Sequence, residues 1–239
     1  MTKNRSRKTA FAQSGHQSSL RGLGTDVSRR NFLFRTLALT FAARPLKILA
    51  DQKGVPMQSA DNSAALKAEL RVDRNRLTLA YAVKNLTGAE LFLFNRMYDD
   101  VDSDGRYRVG KDICNVEIRG GHVLISKKIP AVPELKLVES LNLPCVSILA
   151  AQGTFTEVID LPLPLTPWTP YAAIAPSTRR VLMPLIFELG YFVGRDGTRA
   201  MGKEVATTTG TALRFAPFSM QSQTLIRVGP FESVDVCES

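Results

Sequence analysis

Leu66-Lys67-Ala68-Glu69-Leu70-Arg71-Val72 and Leu77-Thr78-Leu79-Ala80-Tyr81-Ala82-Val83-Lys84 are the two stretches whose reading decides the fold. In the first, Leu66, Ala68, Leu70 and Val72 alternate with Lys67, Glu69 and Arg71. In the second, Leu77, Leu79, Tyr81 and Val83 alternate with Thr78, Ala80, Ala82 and Lys84. A period of two sends successive side chains to opposite faces, so each stretch predicts a strand with one face in a core and the other in water. The first stretch admits a second reading, a short helix over 63–70 with Ser63 as its cap.

Outward from this pair, Asn85-Leu86-Thr87-Gly88 reads as a turn and the apolar run 91–94 as a buried strand. Asp104-Gly105 is a hairpin turn ahead of a strand at 106–109. Gly120-Gly121 is a two-residue turn between strands at 114–119 and 122–127. Ala151-Gln152-Gly153 separates 146–149 from 154–161, and further strands are predicted at 181–192, 211–215 and 225–228. About nine short strands with Gly, Pro and Asn turns between them predict an all-β fold, an antiparallel sandwich. Long helical periodicity and internal repeats are absent.

The net charge of +9 would ordinarily point to nucleic acid or an anionic surface. Its distribution removes that reading. Residues 1–50 hold ten Lys/Arg and one acid, Asp26, whereas residues 51–239 hold 21 of each sign and are neutral. A nucleic-acid binder needs its phosphate-neutralising charge on the folded domain, so no nucleic-acid partner is expected. No window approaches the roughly 20 apolar residues of a membrane helix, so no transmembrane span is expected either.

The basic leader has its own grammar. Residues 1–27 are polar and rich in Ser, Arg and Lys, which suits a disordered n-region. Ser28-Arg29-Arg30-Asn31-Phe32-Leu33-Phe34 follows, then the modestly apolar 36–43 and Arg44-Pro45. This segment resembles the twin-arginine (Tat) signal-peptide family: Ser or Thr, two arginines, any residue, Phe, Leu, then often Lys. It departs at Phe34, and Arg35 interrupts the apolar run. The resemblance implies export from a bacterial cytoplasm to the periplasm, with the translocation machinery as partner and Arg29, Arg30, Phe32 and Leu33 as its recognition residues. The predicted organisation is a signal peptide over 1–50, a linker over 51–62, a β-sandwich domain over 63–232 and a C-terminal tail over 233–239.

The body resembles bacterial immunoglobulin-like domains, and within them the proteinase-inhibitor-like sandwich of the BsuPI type. The resemblance rests on Val83-Lys84-Asn85 with its turn, the strand after it, and the Ala151-Gln152-Gly153 hairpin. It implies an immunoglobulin-like β-sandwich, and such sandwiches host many unrelated functions.

Four patterns bear on chemistry. Asp100, Asp102 and Asp104, with Gly105 at the bend, alternate as Ca²⁺ ligands do in a curled loop, yet the twelfth position from Asp100 is Lys111 where an EF-hand needs an acid. The other reading is a solvated acidic loop balanced by Arg106 and Arg108. His122, the one histidine outside the leader, is the residue on which a hydrolase would have to be built. Cys114 and Cys145 are the pair placed for a disulfide in an oxidising periplasm, with idle buried thiols as the alternative. The Pro/Leu run 161–167 leads to Trp168 and Tyr171, which offer an aromatic contact surface or else belong to an edge strand and crossover. Lys127-Lys128 and Arg179-Arg180 read as solvated pairs.

The sum is an exported, non-enzymatic envelope module that binds or scaffolds an envelope protein or surface component near 98–113 and 161–171, with no cofactor beyond Ca²⁺ at the acidic loop. The alternatives are a periplasmic hydrolase using His122 and a protease-inhibitor-like protein. The leader reading is tested by fusing residues 1–60 to a reporter: export is expected, and the double substitution Arg29→Lys, Arg30→Lys is expected to abolish it. Export unchanged by the double substitution would withdraw the assignment.

Overall fold

The computed structural model describes residues 56–57, 62–173, 178–215 and 222–238. The strands in chain order are β1 (Pro56–Met57), β2 (Ala64–Asp73), β3 (Arg76–Asn85), β4 (Leu91–Arg96), β5 (Tyr98–Val101), β6 (Tyr107–Val109), β7 (Asn115–Arg119), β8 (His122–Lys127) and β9 (Cys145–Leu149). They continue with β10 (Thr154–Pro162), β11 (Trp168–Thr169), β12 (Ala172–Ala173), β13 (Arg180–Val193), β14 (Lys203–Thr207), β15 (Gly210–Arg214), β16 (Thr224–Val228) and β17 (Ser233–Cys237). One short helix, α1 (Thr198–Met201), interrupts the series. Among the described residues no helix is long and apolar enough to cross a membrane. The all-β reading holds, and the segment 63–70 is strand, because its alternation continues unbroken to Asp73.

The two deciding stretches, β2 and β3, form a three-stranded antiparallel sheet with β10, in the order β10-β3-β2. Leu66 lies opposite Val83 and Tyr81 opposite Glu157. The remaining strands build a larger curled sheet around β13, a strand of 14 residues. Along its length β13 pairs with β17, β8, β16 and β4. This sheet is mixed, which corrects the wholly antiparallel expectation: β8 runs parallel to β13 from Val123↔Leu185 to Lys127↔Leu189. The physical reason is connectivity. The chain leaves β8 and reaches β13 only after β9 to β12, and a long crossover permits a parallel return where a tight turn does not.

Residues 233–237, predicted as tail, form β17, with Val234 and Val236 buried. Five residues are too few for alternation to stand out beside the Gly229-Pro230 turn signal.

The two sheets face one another across a common core. Leu66, Leu77, Leu79 and Val83 from the small sheet meet Val123, Ile125, Leu185, Phe187 and Leu189 from the large one. Tyr81 and Phe187 join them directly, ring centroids 4.9 Å apart, and the Ser63 and Tyr191 hydroxyls bond at 2.7 Å within it. A second core lies on the other side of β4. Leu91 and Leu93 face the first core, while Phe92 and Phe94 face the second with Phe192 and Phe215. Phe92 stacks on Phe192 at 4.8 Å and meets Phe215 edge-on at 5.3 Å. A strand buried on both faces reads as a continuous apolar run, as Leu91-Phe92-Leu93-Phe94 does.

Phe187→Ala should therefore cost about 3–5 kcal/mol, because it opens a cavity where the sheets meet. The exposed Leu182→Ala should stay within about 0.5 kcal/mol. Urea unfolding midpoints check both, and equal midpoints for the two variants would contradict this description of the core.

Candidate functional site

The loops at 98–113 and 161–171 come together. Between them lies a cavity of about 310 Å³, walled by Ile113, Val116, Leu161, Leu165 and Trp168, with Asp99 and Asp112 as its carboxylates. Trp168 is half-buried and held by pairing to Val116 of β7 and Ala173 of β12. The loop after β6 is tied to the small sheet: Asp112 Oδ1 accepts the Asp160 N–H at 2.8 Å, and Lys111 Nζ reaches Asp160 Oδ2 at 3.2 Å. Hydrogen bonds from Thr78, then from Lys111, hold the Asp160 carboxyl below its usual range. The cavity's own acids are neutralised, Asp99 by Arg108 at 2.7 Å and Asp112 by Lys111 at 2.7 Å.

Tyr171 does not share this surface. It is 6% exposed, its hydroxyl accepts the Asn142 N–H at 2.7 Å, and its carbonyl accepts from Lys136 Nζ. The expected aromatic pair is thus corrected to Trp168 alone, because the Tyr171 ring is spent on holding the 131–143 loop.

The acidic hairpin between β5 and β6 turns its carboxylates toward its own arginines and backbone. Asp102 accepts from the Asp104 and Arg106 backbone N–H groups at 3.0 and 2.9 Å, and from Arg106 Nε at 3.0 Å. Asp104 pairs with Arg106 at 2.8 Å, and Asp100 accepts the Val101 N–H at 2.9 Å. Bonds to Arg106, the backbone N–H first, keep the Asp102 carboxyl below its ordinary value. Among the described residues no group of three His, Cys, Asp or Glu is gathered closely enough to hold a metal ion.

His122 follows the Gly120-Gly121 turn, where both glycines have positive φ, 58° and 75°, as a tight hairpin requires. Its Nδ1 lies 2.9 Å from the Gly120 carbonyl. It shares a shallow cavity with Arg119, Leu124, Ile186 and Arg227, a set that contains no nucleophile and no carboxylate. Among the described residues that line this cavity, no Ser, Cys, Asp or Glu stands beside His122.

The cysteines are free and buried, so the Cys114–Cys145 bridge is not formed. Cys114 sits in the main core and also borders the Trp168 cavity. Burial is the main cause that pushes its thiol up to about 12, which leaves it protonated and a poor nucleophile at neutral pH.

The densest polar chemistry lies where the sequence reading placed solvent. Lys127 is fully buried and Lys128 nearly so. Lys127 Nζ donates to Glu157 Oε2 at 2.5 Å and to the Asn95 carbonyl at 3.1 Å. The Tyr81 hydroxyl donates to that same Glu157 oxygen at 2.7 Å. Burial first, then the Glu157 carboxylate, drive the Tyr81 phenol far above its ordinary value. Asn95 Oδ1 accepts the Ser147 N–H at 3.2 Å, while the buried Asn95 Nδ2 lies toward the Tyr81 hydroxyl with no partner in good hydrogen-bond geometry. On the opposite face of the large sheet, the fully buried Glu188 takes both Lys128 and Arg227. Lys127 continues the core register of Val123 and Ile125, and that parity was the signal that solvated-pair reasoning passed over.

Arg29, Arg30, Phe32 and Leu33 lie outside the described residues. Comparison with protein families, with characterised proteins and with solved structures finds no match.

Burial raises Cys114, Cys145, Tyr81 and Tyr98, with Cys114 and Tyr81 raised furthest, so the fold is sensitive to alkali, and the sign follows from linkage. In the unfolded chain Cys114 deprotonates near 9, and in the native state near 12. Its contribution is intact below pH 9 and falls by about 1.4 kcal/mol per pH unit above it until about pH 12. Tyr81 steepens the fall above about pH 10. Urea unfolding across pH 8–11 should show this decline, and Cys114→Ala should lessen the slope between pH 9 and 10, leaving the part due to Cys145. An unchanged slope in that variant would show that Cys114 is not the titrating group.

Proposed function

We propose that this chain is an exported, non-enzymatic binding or scaffolding module of the bacterial cell envelope, built on an immunoglobulin-like sandwich, whose contact site is the Trp168 cavity. The observation that carries the reading is the composition of that cavity. It is an apolar slot with one half-buried Trp, its carboxylates are already neutralised by Arg108 and Lys111, and its single thiol is held protonated by burial. Such a wall recognises a partner by shape and apolar burial, and it places no acid, base or nucleophile against a substrate. The twin-arginine segment supplies the address. A scaffold that folds before export suits a domain whose three thiols are all buried and free, since it needs no oxidation to assemble.

The test replaces Trp168 with a photo-crosslinking phenylalanine analogue in cells, with Val193 as an exposed control. Position 168 should give one defined adduct with an envelope component, absent at the control position and absent when Arg29 and Arg30 are both lysine. No adduct at 168, or a hydrolytic activity of the purified protein that His122→Ala abolishes, would overturn the proposal.

A further inference from the structure

We propose that Lys127 and Asn95 are joined by an intrachain amide bond, formed by attack of Lys127 Nζ on Asn95 Cγ with Glu157 as proton carrier. Each part of such a reaction is in place. The nucleophile is a fully buried amine, hydrogen-bonded both to a carboxylate and to the backbone carbonyl of the residue it would attack. Cγ and that carbonyl oxygen are each two bonds from the Asn95 Cα, so rotation about one torsion sets their approach to Nζ. The register of β4 on β9 shifts between Leu93 and Arg96, and an irregularity of this kind re-aims the side chain within it. The electrophile is polarised, because the Ser147 N–H donates to Asn95 Oδ1, where negative charge develops on attack. The leaving nitrogen, Nδ2, is buried with only the Tyr81 hydroxyl beside it and no partner in good hydrogen-bond geometry, so it is weakly held in the unlinked state.

The step balances without an oxidant or an added reagent. A proton passes from the Lys127 ammonium to Glu157, and the freed lone pair forms the N–C bond at Cγ while the carbonyl electrons move to Oδ1. Glu157 transfers that proton to Nδ2, and the electrons on Oδ1 restore the carbonyl as the C–Nδ2 bond breaks and releases ammonia. Glu157 then accepts the second proton from Nζ and delivers it to that ammonia. Ammonium departs, Glu157 ends as a carboxylate, and the product is a secondary amide linking β4 to β8, two strands separated in the sheet by β13. Holding the reacting groups together replaces a bimolecular encounter, and the dry core keeps hydrolysis from competing.

The experiment is peptide mapping by mass spectrometry on the full chain after denaturation and trypsin digestion. The expected result is a branched peptide carrying both Asn95 and Lys127, lighter than its two parts by one ammonia, with no cleavage after Lys127. Glu157→Gln should return two separate peptides of full mass. Asn95→Asp, which keeps the acceptor for Ser147, should give the branch lighter by one water instead. If Glu157→Gln does not fold, the wild-type and Asn95→Asp maps still decide. Separate wild-type peptides overturn the proposal, and so does ammonia loss confined to an unbranched Asn95 peptide, which is a succinimide. A branch that persists in folded Glu157→Gln overturns the role given to Glu157.

Discussion

Strand β13 sets the constraint on which the rest of the structure depends. Fourteen residues of extended backbone cannot enter an apolar interior with unpaired N–H and C=O groups, since each would carry the full cost of its lost hydration. No single neighbouring strand is long enough to pair with all of it. Four strands divide the pairing among them. β17 covers Arg180 to Pro184, β8 covers Leu185 to Leu189, β16 covers Phe187 to Tyr191, and β4 covers Tyr191 to Val193. This division explains the curl and the mixed polarity of the large sheet, because partners arriving from different parts of the chain bring different directions. It also fixes parity. Phe187 and Leu189 face the small sheet, so Glu188 must face away from it.

That parity places charge where charge is expensive. Removing an ion from water costs several kcal/mol even after relaxation, and an ion pair recovers this only with close geometry and further hydrogen bonds. In the unlinked chain both buried lysines meet that condition. Lys127 has Glu157 with Tyr81 on the same oxygen, and Lys128 has Glu188 with Arg227 on the other oxygen. The two consecutive lysines serve opposite faces of one sheet, so a slip of one residue in β8 would set each ammonium against the wrong face. Hydrophobic residues of equal volume would bind the sheets at least as tightly, but they would penalise such a slip far less. The buried pairs therefore specify register more than they add stability.

The sequence made the small sheet legible because half-buried strands alternate, as β2 and β3 do, although in β10 the alternation is broken by the inward Glu157 and the exposed Val158. It made β4 legible by its unbroken apolar run. The parallel pairing of β8 and β13 was not legible, since period two carries no information about direction, and β17 was lost to its shortness. The candidate site was half legible. The loops at 98–113 and 161–171 were marked by their composition, and they do converge, but Tyr171 shows that an aromatic in a proline-rich run serves a loop anchor as readily as a surface. Asn95 and Glu157 gave no sequence signal. Their chemistry comes from a long-range meeting of β4, β8 and β10 that no local pattern encodes.

The same division between faces bears on what the surface can do. The body of the chain is neutral, and at the Trp168 cavity the acids are matched by Arg108 and Lys111 within the same hairpin and loop. Long-range steering by charge, which raises association rates by orders of magnitude at charged interfaces, has little to act on here. Affinity at such a site rests on a central aromatic that loses its remaining water contact and on neighbours that exclude solvent around it. Trp168 has that position: half of it is already fixed by pairing to β7 and β12, so a partner that covers the other half orders little that is not ordered already. An apolar slot on a charge-balanced all-β body favours slow, shape-selected contact, which is what the proposed scaffold role would ask of it.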